Sequence, residues 1–317
     1  CLNMALLCFG QPVKVKLVAE REAFVLFGDE RYDLKKGEIR WITLEGEAMY
    51  GRRLWANEEC FLFLEAGDAL EVVLHENNEL ELKDDGSLCA TRNNWLRKVN
   101  LLKQRLQYSQ LIPQLLPKEY EGLNLERACD SLNVWLATYL EEYPADRKNF
   151  EKVMRTEFKY YRLLEENSIK FSRATFQEFS KDALAGFAEL IPDAEDDRVV
   201  HSPSYWRMVE MYVDYLRVED PRGLQGKGDR IYENELKLAK YFPKGTVRDE
   251  IAYTNLDNIL YWVCPDSRKE FDKCVKRLAP RYAVILQEKL NKQDAKRKDR
   301  KLVPENFAVM EISQQRI

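Results

Sequence analysis

Histidine is nearly missing from this sequence, with His75 and His201 the only two in 317 residues. No His-Glu-x-x-His helix exists, and no Cys/His set has zinc spacing, so the common zinc sites are excluded. His75 ends an alternating run and His201 precedes a helix cap, which are positions of surface or interface residues. No Gly-x-Ser-x-Gly is present, which removes the strained nucleophile turn of the hydrolases. The loop Arg222–Asp229 is glycine-rich but follows a helical stretch. It lacks the Gly-x-x-x-x-Gly-Lys-Ser/Thr spacing that aims backbone amides at a phosphate, so it reads as a connector. No apolar run approaches the ~20 residues that cross a bilayer as a helix. Excess positive charge is also lacking: 50 basic against 54 acidic residues give a net charge of −4, which argues against a nucleic-acid partner. Acidic pairs such as Glu65 with Asp68 arise by chance at that acidic content. No cofactor motif, metal motif or self-sufficient catalytic set is visible.

Cysteine is present but uncommitted. There are seven, and none forms a Cys-x-x-Cys pair. Cys1 and Cys8 fall in the apolar start CLNMALLCFG. Beyond it lie Cys60, Cys89, Cys129, Cys264 and Cys274, an odd number that implies a free thiol or an intermolecular bridge in an exported protein. Cys264 and Cys274 are placed to meet across a helix turn, although buried free cysteines are the commoner outcome. The first residue is not Met, and the expectation is that a segment was removed upstream. Leu2–Phe9 reads as the end of a signal-peptide apolar region, with Gln11 as the mature start. A lipidated Cys1 is the alternative and would supply a membrane tether. Both place the protein outside the cytoplasm, in the periplasm or cell envelope. A native cytosolic strand would not.

What is abundant is pattern. At 317 residues the chain has ample length for a buried core and for two domains. From Val13 to about Leu82 the apolar period is two. Val13, Val15 and Leu17 alternate with lysines, and Trp41 and Thr43 alternate with Ile42 and Leu44. Phe61 and Phe63 alternate with Leu62 and Leu64, and Leu70, Val72 and Leu74 follow. Turn residues fall between the runs at Gly28-Asp29, Lys36-Gly37, Gly67-Asp68 and Asp85-Gly86. Half-buried strands without intervening helices predict an antiparallel sandwich or small barrel. At Gly67-Asp68 the glycine supplies a permissive backbone and the aspartate satisfies turn amides.

From Trp95 the period changes to about 3.6, and Asn93 or Asn94 is the expected N-cap. Trp95, Val99, Leu102 and Leu106 share a face. So do Leu125, Cys129, Leu132, Leu136 and Leu140. Tyr143-Pro144 breaks the run before Val153, Phe158, Tyr161 and Leu164. Ser202-Pro203 predicts a cap with proline at the first helical position. Further helices are expected over 229–242, 247–263 and 266–290, the last interrupted at Pro280. The polar, basic stretch Lys289–Lys301 reads as a helix tail running into a tether, and LVPENFAVMEI after it has strand character.

The order of these parts resembles the TlpA-like thiol-disulfide oxidoreductases that carry an N-terminal β-sandwich and a helical extension. The residues that carry the resemblance are Gly67-Asp68, the helix start Gly86-Ser-Leu-Cys-Ala-Thr-Arg-Asn-Asn-Trp95-Leu96, and Val303-Pro304-Glu305-Asn306-Phe307-Ala308-Val309. The last stretch is similar to the strand that introduces the thioredoxin domain of that family. Ala66 departs from the proline usual before Gly-Asp. The thioredoxin domain and its Cys-x-x-Cys are not in this sequence, so the resemblance implies no catalytic residue here.

The fold expected is therefore α+β: residues 1–10 a signal remnant, 11–92 an antiparallel β-sandwich, 93–291 an all-α region, and 292–317 a tether with a lead-in strand. The resemblance implies the non-catalytic front region of an exported oxidoreductase, one that positions the redox domain or recognises protein clients. Gly67, Asp68, Asn94 and Trp95 are its candidate turn and cap residues. The alternative is an extracytoplasmic glycan- or peptide-binding module that uses Trp41, Tyr50 and Trp55 as its surface.

Overall fold

A computed structural model of the chain describes residues 11–27, 30–44, 52–55, 59–111, 124–173, 187–219, 231–263 and 267–299. The chain divides into two compact units, Cys1–Met211 and Tyr212–Ile317.

Among the described residues of the first unit, eight strands build two four-stranded sheets. One has the order β4 (Ile39–Leu44), β1 (Val13–Ala19), β7 (Ala69–Leu74), β8 (Leu80–Leu82). The other has the order β3 (Glu30–Leu34), β2 (Ala23–Phe27), β5 (Arg52–Trp55), β6 (Glu59–Leu62). The alternation seen in the sequence becomes alternation of burial. Val13, Val15 and Leu17 are buried while Lys14 points outward. Val25, Leu54, Leu62, Leu70, Val72 and Leu80 join them, so both sheets contribute to one core.

The wholly antiparallel expectation needs correction. β1 pairs antiparallel with β4 but parallel with β7, with Val15 opposite Leu70 and Leu17 opposite Val72. A parallel pair needs a long crossover. Here the chain runs through β2 to β6 before it returns as β7.

Three helices follow in the same unit: α1 (Leu88–Leu111), α2 (Leu125–Glu142) and α3 (Phe150–Arg173). They bury Leu96, Val99, Leu102, Leu132, Leu136, Val153 and Phe158 together with Phe63, which follows β6. α1 begins at Leu88, ahead of the predicted start. The Ser87 hydroxyl accepts from the Ala90 amide at 3.1 Å and caps it. The expected caps Asn93 and Asn94 lie inside the helix, so that expectation fails: an earlier capping residue was available. A single turn, α4 (Leu190–Asp193), leads to α5 (Pro203–Glu219). Pro203 opens α5, and the Ser202 hydroxyl accepts from the Tyr205 amide at 3.1 Å, as the Ser-Pro pair predicts. The unit boundary falls within α5.

The second unit is helical among its described residues: α6 (Ile231–Leu238), α7 (Thr246–Asn258), α8 (Arg268–Val275) and α9 (Pro280–Asp299). Pro280 separates α8 from α9, where the sequence places the break. Tyr232, Leu236, Ile251, Leu256, Phe271 and Leu286 are buried. Arg217 bridges Glu235 at 2.8 Å and the Asn255 side chain at 3.1 Å. The apolar start, the Gly28-Asp29 turn and the Val303–Val309 stretch lie outside the described residues.

Candidate functional site

The Gly67-Asp68 turn sits where the first sheet meets the helices. Gly67 has φ +88°, a backbone state that a side chain resists, and its amide donates to the Gln11 carbonyl at 2.8 Å. The Asp68 carboxylate accepts from the Glu65 amide at 2.8 Å and closes the turn.

Arg92, one helical turn into α1, reaches this point. Its side chain is 2% exposed. It bridges Asp146 at 2.9 Å, Glu65 at 3.0 Å and Asp68 at 3.5 Å. Its guanidinium lies 5.0 Å from the Phe63 ring centroid and 5.8 Å from that of Phe150. A buried charge is tolerable only when it is paired and hydrogen-bonded. Burial disfavours the Arg92 cation, but Asp146 and Glu65 outweigh it, and its pKa is raised. For Asp68 the balance is reversed: burial outweighs the Glu65 amide and Arg92, and its pKa is pushed up. The Tyr139 hydroxyl donates to the second oxygen of Asp146 at 2.5 Å.

Asn93, also buried, acts as a substitute strand. Its Oδ1 accepts from the Phe63 amide at 2.8 Å, and its Nδ2 donates to the Phe63 carbonyl at 3.0 Å. Asn94 donates to the Leu82 carbonyl at the end of β8, at 3.0 Å. Trp95 packs against Tyr139 and Phe150, with centroids 5.2 and 5.6 Å apart. The residues expected to turn the chain and cap a helix are thus drawn into one junction, with a different division of labour. Gly67 and Asp68 make the turn, Asn93 and Asn94 tie the helix to β-strand backbone, and Trp95 fills the aromatic cluster. Arg92 and Asp146 were missed by sequence reasoning. The available signal was the period of α1, which sets Cys89, Arg92, Asn93 and Leu96 on one face.

Cys89 is near the start of α1, where a helix dipole favours a thiolate. Its surroundings oppose that: burial, then the Asp68 carboxylate, pushes the thiol pKa up. Burial also raises Cys129, and it raises Cys274 to about 11. Cys60, Cys89, Cys129 and Cys274 are all free and buried; Cys264 lies outside the described residues.

The three candidate surface aromatics are not brought together by the described residues. Trp41 is on β4 of the first sheet and 59% exposed, beside Ile39 at 56%. Trp55 belongs to β5 of the second sheet, and Tyr50 lies outside the described residues. His75 is partly exposed, its two ring nitrogens 3.0 Å from Glu20 and 2.9 Å from Glu81. Among the described residues no group of three metal-ligating side chains converges, and no helix is long and apolar enough to cross a membrane. No protein-family model, no curated protein and no solved structure matches the chain.

Proposed function

We propose that this chain is the non-catalytic front region of an exported, TlpA-like thiol-disulfide oxidoreductase, and that it holds the redox domain or its protein clients in place. The observation that carries this reading is the Arg92 junction. A positioning element must be stiff. Here one buried guanidinium fastens the Gly67-Asp68 turn, α1 and the Asp146 turn to one another. The buried cysteines, with the Cys89, Cys129 and Cys274 thiols pushed up chiefly by burial, fit a region that leaves thiol chemistry to another domain. Reading the two sheets as layers of a sandwich is supported by their shared core. The extracytoplasmic setting remains part of the same proposal.

The test is the intact mass of the natural gene product, with thiol trapping before and after reduction. The expected product is heavier by one domain of ~100–150 residues and gains two trappable thiols. Reduction of insulin disulfides by residues 11–317 alone overturns the proposal.

A second reading is favoured by one observation, the exposure of Trp41 beside Ile39 on β4. A large aromatic left in water suits glycan or peptide binding. Saturable glycan or peptide binding that is lost in Trp41→Ala supports it.

A further inference from the structure

β4 is an outer strand of the first sheet, and its outer edge can be read residue by residue. The Ala19 amide donates to the Glu38 carbonyl at 3.0 Å, whereas the Lys14 amide donates to Asp68 at 2.9 Å and the Glu20 amide to Leu74 at 3.0 Å. Successive backbone groups of a strand face opposite neighbours, so odd-numbered residues of β1 turn to β4 and even-numbered ones to β7. Leu17 lies opposite Arg40, Val15 opposite Ile42 and Val13 opposite Leu44. The backbones of Arg40, Ile42 and Leu44 are thus engaged with β1, and those of Ile39, Trp41 and Thr43 point away from it. No strand pairs with that edge among the described residues. The same three residues carry the exposed side chains of β4.

Native sheets protect an open edge with charge. β3, an outer strand of the other sheet, does so: Glu30, Arg31 and Asp33 are exposed along it. β4 has only Arg40, which alternation puts on the opposite face from Trp41 and which pairs with Glu38 at 2.6 Å. Its outward amides and apolar outward side chains are what strand addition uses. The two ends of β4 fix the charge of the partner. Lys35 stands before β4, and Lys14 lies opposite Thr43 at its other end. Both are exposed, and among the described residues neither makes an ion pair or a side-chain hydrogen bond. Glu71 is taken by Lys16 at 2.8 Å, and Glu38, whose field reaches Lys35, by Arg40.

We infer that β4 docks an extended peptide of another protein, apolar along its middle and acidic at both ends, which joins the first sheet as a fifth strand. Its main chain bonds to Ile39, Trp41 and Thr43, and its alternate side chains lie beside Ile39 and Trp41. Its terminal carboxylates meet Lys14 and Lys35. β4 has six residues, so the bound stretch is about 20 Å long. A second copy of this chain fits less well, because β4 has no acidic residue to offer those lysines. That partner makes specific the peptide form of the second reading above, on which it rests.

The probe is a capped peptide of about seven residues, the length of a short strand, with glutamate at each end and valine alternating with threonine between. It is titrated into the full chain and followed by backbone amide NMR. A form N-methylated throughout, which has no backbone donors, and a form with lysine ends are the controls. Saturable binding with a Kd of about 0.05–1 mM and shifts centred on Ile39, Trp41 and Thr43 is expected, with both controls ~10-fold weaker or worse. Thr43→Pro removes an outward donor without touching the β1 ladder and should weaken binding ~10-fold. Lys14→Glu, at an exposed site, should weaken it ~5-fold, and less at high salt. The proposal is overturned by no saturable shift at ~2 mM peptide, by shifts centred elsewhere, by equal binding of either control, or by a free protein that dimerises through β4. If the peptide fails but cellohexaose binds and is lost in Trp41→Ala, the second reading stands and strand addition falls. If Trp41→Ala changes the binding of neither, both fall.

Discussion

Replacing Arg92 with leucine removes a cation and leaves its carboxylates behind. Asp146 is 2% exposed and would keep only the Tyr139 hydroxyl, and Glu65 would keep the Asn149 side-chain amide at 2.9 Å. Breaking a buried pair by deleting one partner destabilises by about 3–5 kcal/mol, because the other charge stays buried. A whole domain is typically stable by only about 5–15 kcal/mol. The loss should therefore be large and local to the first unit. Amide exchange at Phe63 reads it directly, since that amide is bonded to the Asn93 side chain of the same unit. Its opening free energy should fall by about 3–5 kcal/mol in Arg92→Leu. In Arg92→Leu combined with Asp146→Leu, part of that loss should return, because both charges are gone. A loss below about 1 kcal/mol, the size of an exposed pair, would refute the reasoning. So would strict additivity of the two substitutions.

Three further outcomes follow from the same structure. Gly67→Ala should lower the unfolding free energy obtained from urea melts by the strain of a left-handed residue, about 1–2 kcal/mol. The added Cβ meets Gln11 at no less than 3.4 Å, so conformation rather than crowding sets that loss. His75 has its pKa raised above 6.5, chiefly by Glu20 and then by Glu81. Its contribution is therefore complete below the unfolded pKa and is lost as pH rises through the folded value, and His75→Gln should flatten the stability profile in that window, measured by urea melts. Asp196 has its pKa lowered from 3.8, chiefly by Arg198. Its contribution is present above the unfolded pKa and is lost as pH falls through the folded value. Asp196→Asn should therefore be less stable at neutral pH and less sensitive to acid, by thermal melts across that range.

Much of the frame was legible because burial writes a period into the chain. Val13, Val15 and Leu17 announce β1, Ser202-Pro203 announces α5, and Pro280 announces the α8–α9 break. Strand direction was not legible. The same alternation serves a parallel and an antiparallel neighbour, so nothing in Leu70–Leu74 records that β7 runs alongside β1. The cap was misread because Asn93 and Asn94 are residue types that favour caps, and so is Ser87. What decided between them was tertiary: the Phe63 backbone needed a polar partner, and Asn93 supplied it from inside the helix. Arg92 with Asp146 was out of reach for a related reason. The partners are 54 residues apart, and ion pairing leaves no periodic trace.

Two buried charge clusters tie α1 to its neighbours. At the first, Arg92 has three carboxylates around it, and both Asn93 amide atoms are engaged with Phe63. That cluster holds the Gly67-Asp68 turn, α1 and Asp146 together. At the second, Glu157 of α3 is fully buried, pairs with Lys103 of α1 and accepts from the Ser202 hydroxyl and from the amide and hydroxyl of Ser204. Lys103→Leu should therefore destabilise the first unit as Arg92→Leu does, by about 3–5 kcal/mol in urea melts, because it leaves the Glu157 charge buried without its cation; a loss below about 1 kcal/mol would place that pair with exposed ones.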